Sequence, residues 1–338
     1  MATTETQKVD EIISSRRAMM MLGGTALAGL ALAGKAEAQA AAGPTDNDIL
    51  NFALNLEYLE ANFYYLAAFG TTIDVANAAS TAAGAAVQGI TGTGTQGAVT
   101  VRAGAKVPFA TIQVGSYAVE TAIEEGKHVG FLRQTLGAAA VAQPAIDLNG
   151  AWNTLASAAG IGPAFDPFVS DATFLIGAYV FEDVGVTAYK GAAPLLSTTA
   201  TGKAYLSAAA GILAVEAYHA GLIRTSITIL DPSGSLGFQG LTQKISALRA
   251  TLSKAALSTA PSPDDFGVGT QNVMLGGSTT AVSATTIVDA DPVTVVAFSR
   301  NTTQVLNIVT GGGAVNGSAT VSPAKGVFFP AGLNGLIK

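Results

Sequence analysis

The chain has 338 residues, of which 49% are hydrophobic and 12% charged, so it holds enough apolar material for one large domain or two smaller ones. Its net charge of −6 and the absence of a Lys/Arg block argue against a nucleic-acid partner, because phosphate binding requires a clustered positive surface. The lack of cysteine excludes disulfides, thiolate metal ligands and cysteine nucleophiles.

The first 38 residues have the pattern of an export signal. Arg16 and Arg17 precede an Ala-, Gly- and Leu-rich stretch, and a small-x-small cleavage site ends at Ala38. Paired arginines before an apolar run are typical of twin-arginine signals. We therefore predict a signal peptide over residues 1–38, a periplasmic or extracellular mature protein, and no stable membrane span after cleavage. A membrane anchor is the alternative, which the short and glycine-rich stretch disfavours.

Helical periodicity dominates the mature chain up to residue 258. Apolar residues at three- and four-residue steps predict helices at about 45–69, 109–136, 166–193, 199–230 and 241–257. Thr45 or Asp46 would cap the first, and Asp166 followed by Pro167 would open the third. A short helix is expected near Trp152, within a long crossover. The sequence thus predicts an all-α core over residues 45–258.

Two regions lack this periodicity. Residues 70–108 are rich in Gly, Thr and Ala, and the run at 98–101 predicts a small β-hairpin insertion between the first two helices. Residues 261–338 contain short β-branched runs at 293–298 and 304–309, which predict an extended or β-rich C-terminal appendage. The apolar run at 326–330 is expected to pack back on the helices.

The helical part contains an internal repeat. Residues 125–133 and 216–224 both read Glu-x-x-His-x-Gly, followed by two apolar residues and Arg. The first and third helices also correspond, because Glu57 and Tyr64 have the same spacing as Glu182 and Tyr189. The bundle is therefore predicted to be two copies of one helix pair.

The spacing of this repeat predicts a metal site. Residues at i and i+3 lie on the same face of a helix, so Glu-x-x-His directs a carboxylate and an imidazole to one point. Both histidines of the chain stand three residues after a glutamate. Two such helices and one carboxylate from each of two others supply the ligands of a two-metal carboxylate site. The candidate ligands are Glu57, Glu125, His128, Glu182, Glu216 and His219.

The first helix offers two candidates for its single ligand position. Glu57 and Glu60 both lie on it, three residues apart. The repeat favours Glu57, because Gly185 stands where a second glutamate would follow Glu182.

At these residues the chain resembles the ferritin-like superfamily. More narrowly, it is similar to the ferritin-like domain shared by exported bacterial proteins, plant desiccation-related proteins and fungal stress-response proteins. The stretches that carry the likeness are 51–60, 181–185 and the two Glu-x-x-His segments, and it covers most of residues 45–232 and part of the tail. The resemblance implies a four-helix bundle with a long crossover, holding two divalent iron or manganese ions.

The resemblance also implies roles for the six ligands. The glutamates of the Glu-x-x-His segments would bridge both metals, and each metal would be completed by one further glutamate and one histidine. In this sequence the bridging residues are Glu125 and Glu216, and the completing pairs are Glu57 with His128 and Glu182 with His219.

Residues near the candidate ligands have more than one interpretation. Tyr64 and Tyr189 follow the glutamates of their helices by seven residues, so they are either redox-active phenols beside the metals or core residues with a bonded hydroxyl. Asp183 either orients a ligand histidine or lies at the surface. Glu120 and Glu124 are expected on a solvated face.

Three functions are consistent with the predicted fold and metal site. The first is an oxidoreductase, in which the metals react with oxygen or peroxide as in a ferroxidase, peroxidase or catalase. The second is a stress-protection protein whose metals only stabilise the bundle, and the third is an envelope interaction protein that binds through its loop and tail. A hydrolase triad is disfavoured, because both histidines belong to the metal site. The sequence leaves the metal, the substrate and the oligomeric state open.

Overall fold

A computed structural model describes residues 43–256, 264–274, 281–313 and 325–338. Residues 44–338 form one compact unit. The predicted signal peptide at residues 1–38 lies outside the described residues and stays a prediction.

Helices dominate the described chain. They are α1 (Asp46–Phe69), α2 (Ala78–Ala82), α3 (Ile112–Leu136), α4 (Gly150–Ala158), α5 (Asp171–Tyr179), α6 (Glu182–Ala192), α7 (Ala200–Leu230), α8 (Phe238–Ala255) and α9 (Thr302–Val309), with 3₁₀ turns at Gly137–Ala139 and Ala193–Leu195. The strands are β1 (Val99–Thr100), β2 (Ile146–Asp147), β3 (Thr270–Met274) and β4 (Ala281–Thr285).

The bundle consists of two helix pairs. Helix α1 packs mainly against α3, and α6 packs mainly against α7, with α5 continuing the line of contact along α7. The apolar faces of these helices contribute to one continuous buried core. This arrangement confirms the all-α bundle and the pairing that the internal repeat predicted.

Local signals fix the ends of the long helices. The Thr45 side chain accepts a hydrogen bond from the Asp48 amide and the Asp48 carboxylate accepts one from the Thr45 amide, which forms a capping box at the start of α1. Gly70 ends α1 with a φ of 74°, a left-handed conformation that glycine adopts without strain. Thr199 caps α7 by accepting from the Gly202 amide. The predicted ranges of the first, second and fourth helices are confirmed to within a few residues.

The third helix starts later than predicted. It begins at Asp171 rather than at Asp166-Pro167, because Ser170 forms the capping box with Thr173. Asp166 instead forms an ion pair with Arg102 of the insertion.

This third helix is also interrupted, which the sequence analysis did not anticipate. Helix α5 ends at Tyr179, two residues form a turn, and α6 begins at Glu182. The Tyr179 carbonyl, left without a helical partner, accepts a hydrogen bond of 2.8 Å from Arg249 Nη1 on α8. A hydrogen bond from a distant helix therefore satisfies the carbonyl group that the interruption leaves free, close to the candidate ligand Glu182.

The insertion does not form the predicted internal hairpin. Strand β1 pairs in parallel with β2 of the crossover, with Val99 opposite Ile146. The amide of Leu148 donates to the Thr100 carbonyl over 2.7 Å. The backbone groups of the insertion are thus satisfied by the crossover, and the two long connections hold each other against the bundle.

The tail differs from its prediction in one segment. Residues 304–309, predicted as extended, belong to helix α9, whose capping box joins Asn301 and Gln304. A six-residue apolar run fits a buried helix as well as a strand, and burial on all sides favours the helix here. The run at 293–298 forms only an isolated bridge between Ala290 and Ala297. Strands β3 and β4 form an antiparallel pair with Thr270 opposite Thr285.

The tail contacts the bundle through an aromatic cluster. The Phe328 ring lies 5.2 Å from the Trp152 ring of α4 and 5.0 Å from the Phe181 ring, measured between centroids. The predicted packing of residues 326–330 on the helices is confirmed.

Helix α7 is long and apolar enough to cross a membrane, and it is alone in this among the helices of the described ranges. Length and composition are weak evidence for a span, and about a third of its apolar window is buried inside the fold. Its buried face carries Glu216 and His219.

Candidate metal centre

The six predicted ligands converge at the middle of the bundle. His128 Nδ1 lies 3.3 Å from Glu57 Oε2 and 3.6 Å from both Glu125 Oε2 and Glu216 Oε1. The two histidine rings, from opposite helix pairs, are 6.4 Å apart between centroids. All six side chains are buried.

The second histidine faces the remaining carboxylates. His219 Nδ1 lies 3.0 Å from Glu125 Oε1 and 3.4 Å from Glu182 Oε2. Helices α1, α3, α6 and α7 therefore each contribute to the cluster, and the Glu-x-x-His spacing directs both of its side chains inward as the helical geometry requires.

These side chains form two overlapping groups that could each hold a metal ion. In each group the potential ligand atoms lie within 4.8 Å of one another. Glu125 belongs to both groups. Glu216, for which the resemblance also implied bridging, belongs to the first group only. The members of the first group are Glu57, Glu125, His128 and Glu216, and those of the second are Glu125, Glu182 and His219.

Two tyrosines orient the outer carboxylates across the bundle. The Tyr64 hydroxyl of α1 donates to Glu182 Oε1 of α6, and the Tyr189 hydroxyl of α6 donates to Glu57 Oε1 of α1. Each bond leaves the Oε2 atom of its glutamate facing a histidine. Both tyrosines are buried, with Tyr64 at 0% and Tyr189 at 9% exposure, and their hydroxyls are hydrogen-bonded. Their redox activity stays a hypothesis.

Comparison with known proteins agrees with this geometry. The sequence profile of the ferritin-like domain matches residues 45–228. The chain belongs to the ferritin-like domain family. It is 31% identical over 217 residues to the desiccation-related protein PCC13-62 of Craterostigma plantagineum, a match that spans 62% of this chain and 62% of that protein. No solved structure matches this ferritin-like chain.

Most of the side-chain atoms that could bind a metal lack hydrogen-bond partners within the protein. Eleven buried side-chain nitrogen and oxygen atoms of the described residues have no hydrogen-bond partner, and eight of them belong to the six candidate ligands. Native proteins rarely bury unpaired polar atoms, because each costs roughly 1–3 kcal/mol. Carboxylate oxygens with imidazole nitrogens suit iron or manganese. The residues therefore fit a pair of divalent cations, which would satisfy these atoms.

Electrostatics in the metal-free chain point the same way. Burial raises the pKa of Glu57 to about 7, and burial with Glu125 nearby holds the pKa of Glu216 well above its ordinary range. Burial alone would lower the pKa of His128, but the Glu57 and Glu125 carboxylates raise it to about 12. The cluster thus retains protons that metal cations would displace.

A further carboxylate orients His219. Glu124 Oε2 lies 2.8 Å from His219 Nε2, so this nitrogen donates and Nδ1 remains directed at the cluster. The Glu124 side chain is 37% exposed, so it lies on a partly solvated face as expected, but its contact with His219 was not predicted. The repeat could not reveal this role, because Val215 occupies the corresponding position before Glu216. Glu120 is exposed, as expected.

Glu60 is buried but lies outside both groups of potential ligands. Glu57 instead faces His128, as the repeat favoured. Burial, followed by repulsion from the neighbouring carboxylates Glu125 and Glu182, raises the pKa of Glu60 well above its ordinary range.

A third acidic group lies beside the site and is an ion-pair network. Asp183, directly after Glu182, accepts hydrogen bonds of 3.0 Å from both Arg224 and Arg249. Both expectations for Asp183, a histidine contact or a surface position, are wrong. Asp265 and Asp289 lie close to it, and Arg249 also binds Asp265. Guanidinium groups already neutralise Asp183 and Asp265, so these two carboxylates belong to an ion-pair network at the start of α6.

Proposed function

We propose that this chain is an exported protein with a dinuclear iron or manganese centre, which reacts with oxygen or peroxide in defence against oxidative or desiccation stress. The observation that carries the proposal is the set of eight unpartnered buried atoms on six converging side chains. The name of its relative, the desiccation-related protein PCC13-62, supports a role in desiccation. The paired arginines before the apolar N-terminal stretch support export to the periplasm or extracellular space.

The chain's own residues supply a rigid donor set. Glu125 would link the two metals, with Glu57, His128 and Glu216 on one side and Glu182 and His219 on the other. When bound, two such ions supply one electron each, enough to reduce hydrogen peroxide with two protons to two molecules of water.

Three side chains hold these ligands in place. Tyr64 and Tyr189 each occupy one oxygen of an outer carboxylate, which leaves the other oxygen for a metal. Glu124 accepts a hydrogen bond from His219 Nε2, which holds the ring with Nδ1 directed at the cluster. These contacts would hold the six side chains in position for metal binding.

The test uses the exported protein with its metals. Wild type, Glu125→Gln and the exposed control Glu120→Gln on the same helix are purified from the export compartment, and metal content is measured by elemental analysis. Consumption of peroxide, oxygen and ferrous iron is then followed. We expect two metals and turnover in wild type and control, and neither in Glu125→Gln. Metal-loaded wild type that turns over none of the three would refute the redox function.

A metal-stabilised protein without catalysis is the second candidate. The unpartnered atoms would be satisfied by metal binding alone, and the name of the relative states no reaction. This function predicts that metal raises the melting temperature of wild type while no turnover is detected. An envelope interaction protein is a third candidate, in which surface association would depend on the tail at residues 261–338.

A further inference from the structure

Three buried arginines connect the second helix pair, α6 with α7, to helix α8 and the tail. Each is no more than 2% exposed, and each forms an ion pair with a buried aspartate. Such pairs often stabilise a fold no better than apolar side chains of the same volume, because both charges lose their water. What a buried network can provide instead is one fixed arrangement of the chain. The arginines are Arg224, Arg249 and Arg300, and the aspartates are Asp183, Asp264 and Asp265.

The network holds the interruption of the third helix from both sides. Arg249 Nη1 donates to the Tyr179 carbonyl at the end of α5, and Nη2 of the same side chain donates to Asp183 Oδ2 over 3.0 Å. Glu182, the first residue of α6, lies between these two contacts in the sequence. Because a guanidinium is a planar and rigid fork, one side chain sets the position of the helix start that carries a candidate metal ligand.

The first helix pair, α1 with α3, has no such network among the described residues. The repeat places Arg133 where the second pair has Arg224, and Tyr58 where it has Asp183. Arg133 donates to the Tyr58 hydroxyl, so the corresponding contact has a neutral acceptor. Helix α1 also continues without interruption through Glu57. The outer glutamate of the first pair is thus held by its own helix, whereas that of the second pair depends on contacts from elsewhere in the chain.

The tail completes the network. Asp265 accepts hydrogen bonds from Arg249 over 2.7 Å and from Arg300 over 2.9 Å. The backbone amide and the Nη1 atom of Arg300 both donate to Thr187, one turn after Asp183 on α6, over 3.1 Å each. The tail therefore contacts one turn of α6 directly and the preceding turn through Arg249.

We propose that Arg249 and Asp265 are positioning residues for Glu182, so that the tail determines how tightly the second group of ligands holds its metal. The first group, formed around His128, does not depend on the tail. The inference rests on the metal centre of the proposed function, and it assigns the tail a role in retaining one of the two ions. The second group consists of Glu125, Glu182 and His219.

The test measures the binding of Mn²⁺ to the full chain with Arg249→Lys. Lysine keeps the charge but offers one ammonium in place of a planar fork, so it cannot make the contacts to Tyr179, Asp183 and Asp265 together. We expect the affinity for one Mn²⁺ to fall about 10- to 100-fold, as when an outer partner of a metal ligand is removed, while the other affinity stays unchanged. Arg133→Lys is the matched control in the first helix pair and should retain both affinities.

Electron paramagnetic resonance separates positioning from a general loss of stability. Two Mn²⁺ ions held side by side by Glu125 are magnetically coupled, whereas a single bound ion gives the signal of isolated Mn²⁺. Wild type and control should show the coupled pair, and Arg249→Lys the isolated ion. A second substitution identifies the position that is lost. In Arg249→Lys, His128→Ala should abolish the remaining tight binding, whereas His219→Ala should leave it unchanged.

A milder variant covers poor folding of Arg249→Lys. Thr187→Val keeps the shape of the side chain but removes the hydroxyl that accepts from Arg300 Nη1. It should lower the same Mn²⁺ affinity several-fold and leave the other unchanged. Melting temperatures of the metal-free variants report the cost to the fold, and a merely structural role would change these temperatures without changing one affinity selectively.

The outcomes distinguish this inference from the proposed function. Wild-type affinity for both ions in Arg249→Lys, or in Thr187→Val if the first variant does not fold, would overturn the positioning role and leave the proposed function standing. An equal loss of both ions would overturn it as well. Selective loss of one ion, in a protein whose wild type binds two but turns over no peroxide, oxygen or ferrous iron, would support the positioning role and refute the redox function.

Discussion

Gly185 offers a sharp test of how tightly the fold defines the metal centre. It lies on α6 at the position where the repeat places Glu60 on α1, and its Cα faces the Glu216 carboxylate. Replacement by alanine would place a methyl group 2.1 Å from Glu216 Oε2 and 3.0 Å from its Cδ. Ordinary contacts of a Cβ atom begin at 3.4 Å. The carboxylate oxygen must therefore retreat by more than 1 Å.

This displacement is large for a metal ligand, but the helix itself can accommodate it. Metal–ligand distances hold within about 0.2 Å, so a shift of this size removes Glu216 from its metal. We expect at least a 10- to 100-fold loss of affinity for that metal, the range that follows disturbance of even an outer contact. Alanine also favours the helix over glycine by roughly 0.5–1 kcal/mol, which offsets part of the strain in the metal-free protein.

The assay compares Gly185→Ala with Gly211→Ala, since a Cβ atom at Gly211 of α7 would meet no atom within 4 Å. Metal content after dialysis and melting temperatures with and without metal are measured for both. We expect Gly211→Ala to retain both metals and Gly185→Ala to lose one, with similar melting temperatures once metal is removed. Two tightly bound metals in Gly185→Ala would refute the geometry.

Three further predictions follow from the electrostatics of the site. Metal binding should release protons and strengthen as the pH rises through about 7, the raised pKa of Glu57, and it should strengthen further above that pH because His128 must also lose a proton. Calorimetry in buffers of different ionisation enthalpy measures this proton release, and pH-independent affinity would contradict it. Glu124→Gln should weaken metal binding about 10- to 100-fold by releasing His219, whereas Glu120→Gln should not, as judged by competition with a chelator. Burial and neighbouring aspartates raise the pKa of Asp289 to about 8, so the stability that it contributes is complete below its ordinary pKa and declines as the pH rises toward 8. In Asp289→Asn, the free energy of unfolding measured in urea should fall by about 1–3 kcal/mol less over this pH range than in wild type. An unchanged dependence of the unfolding free energy on pH would disprove the assignment.

The helices and the convergence of the site could be predicted because their signals are local. Caps such as Thr45 and Thr199, and glycines such as Gly70, lie within a few residues of the helix ends they determine. The Glu-x-x-His spacing places both side chains on one face within a single turn of helix. The internal repeat then shows that the two helix pairs are equivalent, even though their packing is not known from the sequence.

The features that sequence analysis missed depend on distant contacts. The interruption after Tyr179 is satisfied by Arg249, which is 70 residues away in the sequence. The bond between Glu124 and His219 spans 95 residues and has no counterpart in the repeat. No local pattern distinguishes these residues from ordinary helix residues.

One missed element did have a local signal. Asn301 followed three residues later by Gln304 is a capping-box pattern, and it marks the start of α9. The β-branched residues within 304–309 instead favoured an extended segment. A capping pattern before a short apolar run deserves more weight than β-propensity alone, because propensity depends on the tertiary surroundings.

The number of metal ions bound to the protein tests the central claim most directly. Elemental analysis of protein purified from the export compartment without added metal should give about two iron or manganese ions per chain, and none in the Glu125→Gln variant. Wild-type protein that contains no metal, and that binds none when both ions are supplied, would contradict the account.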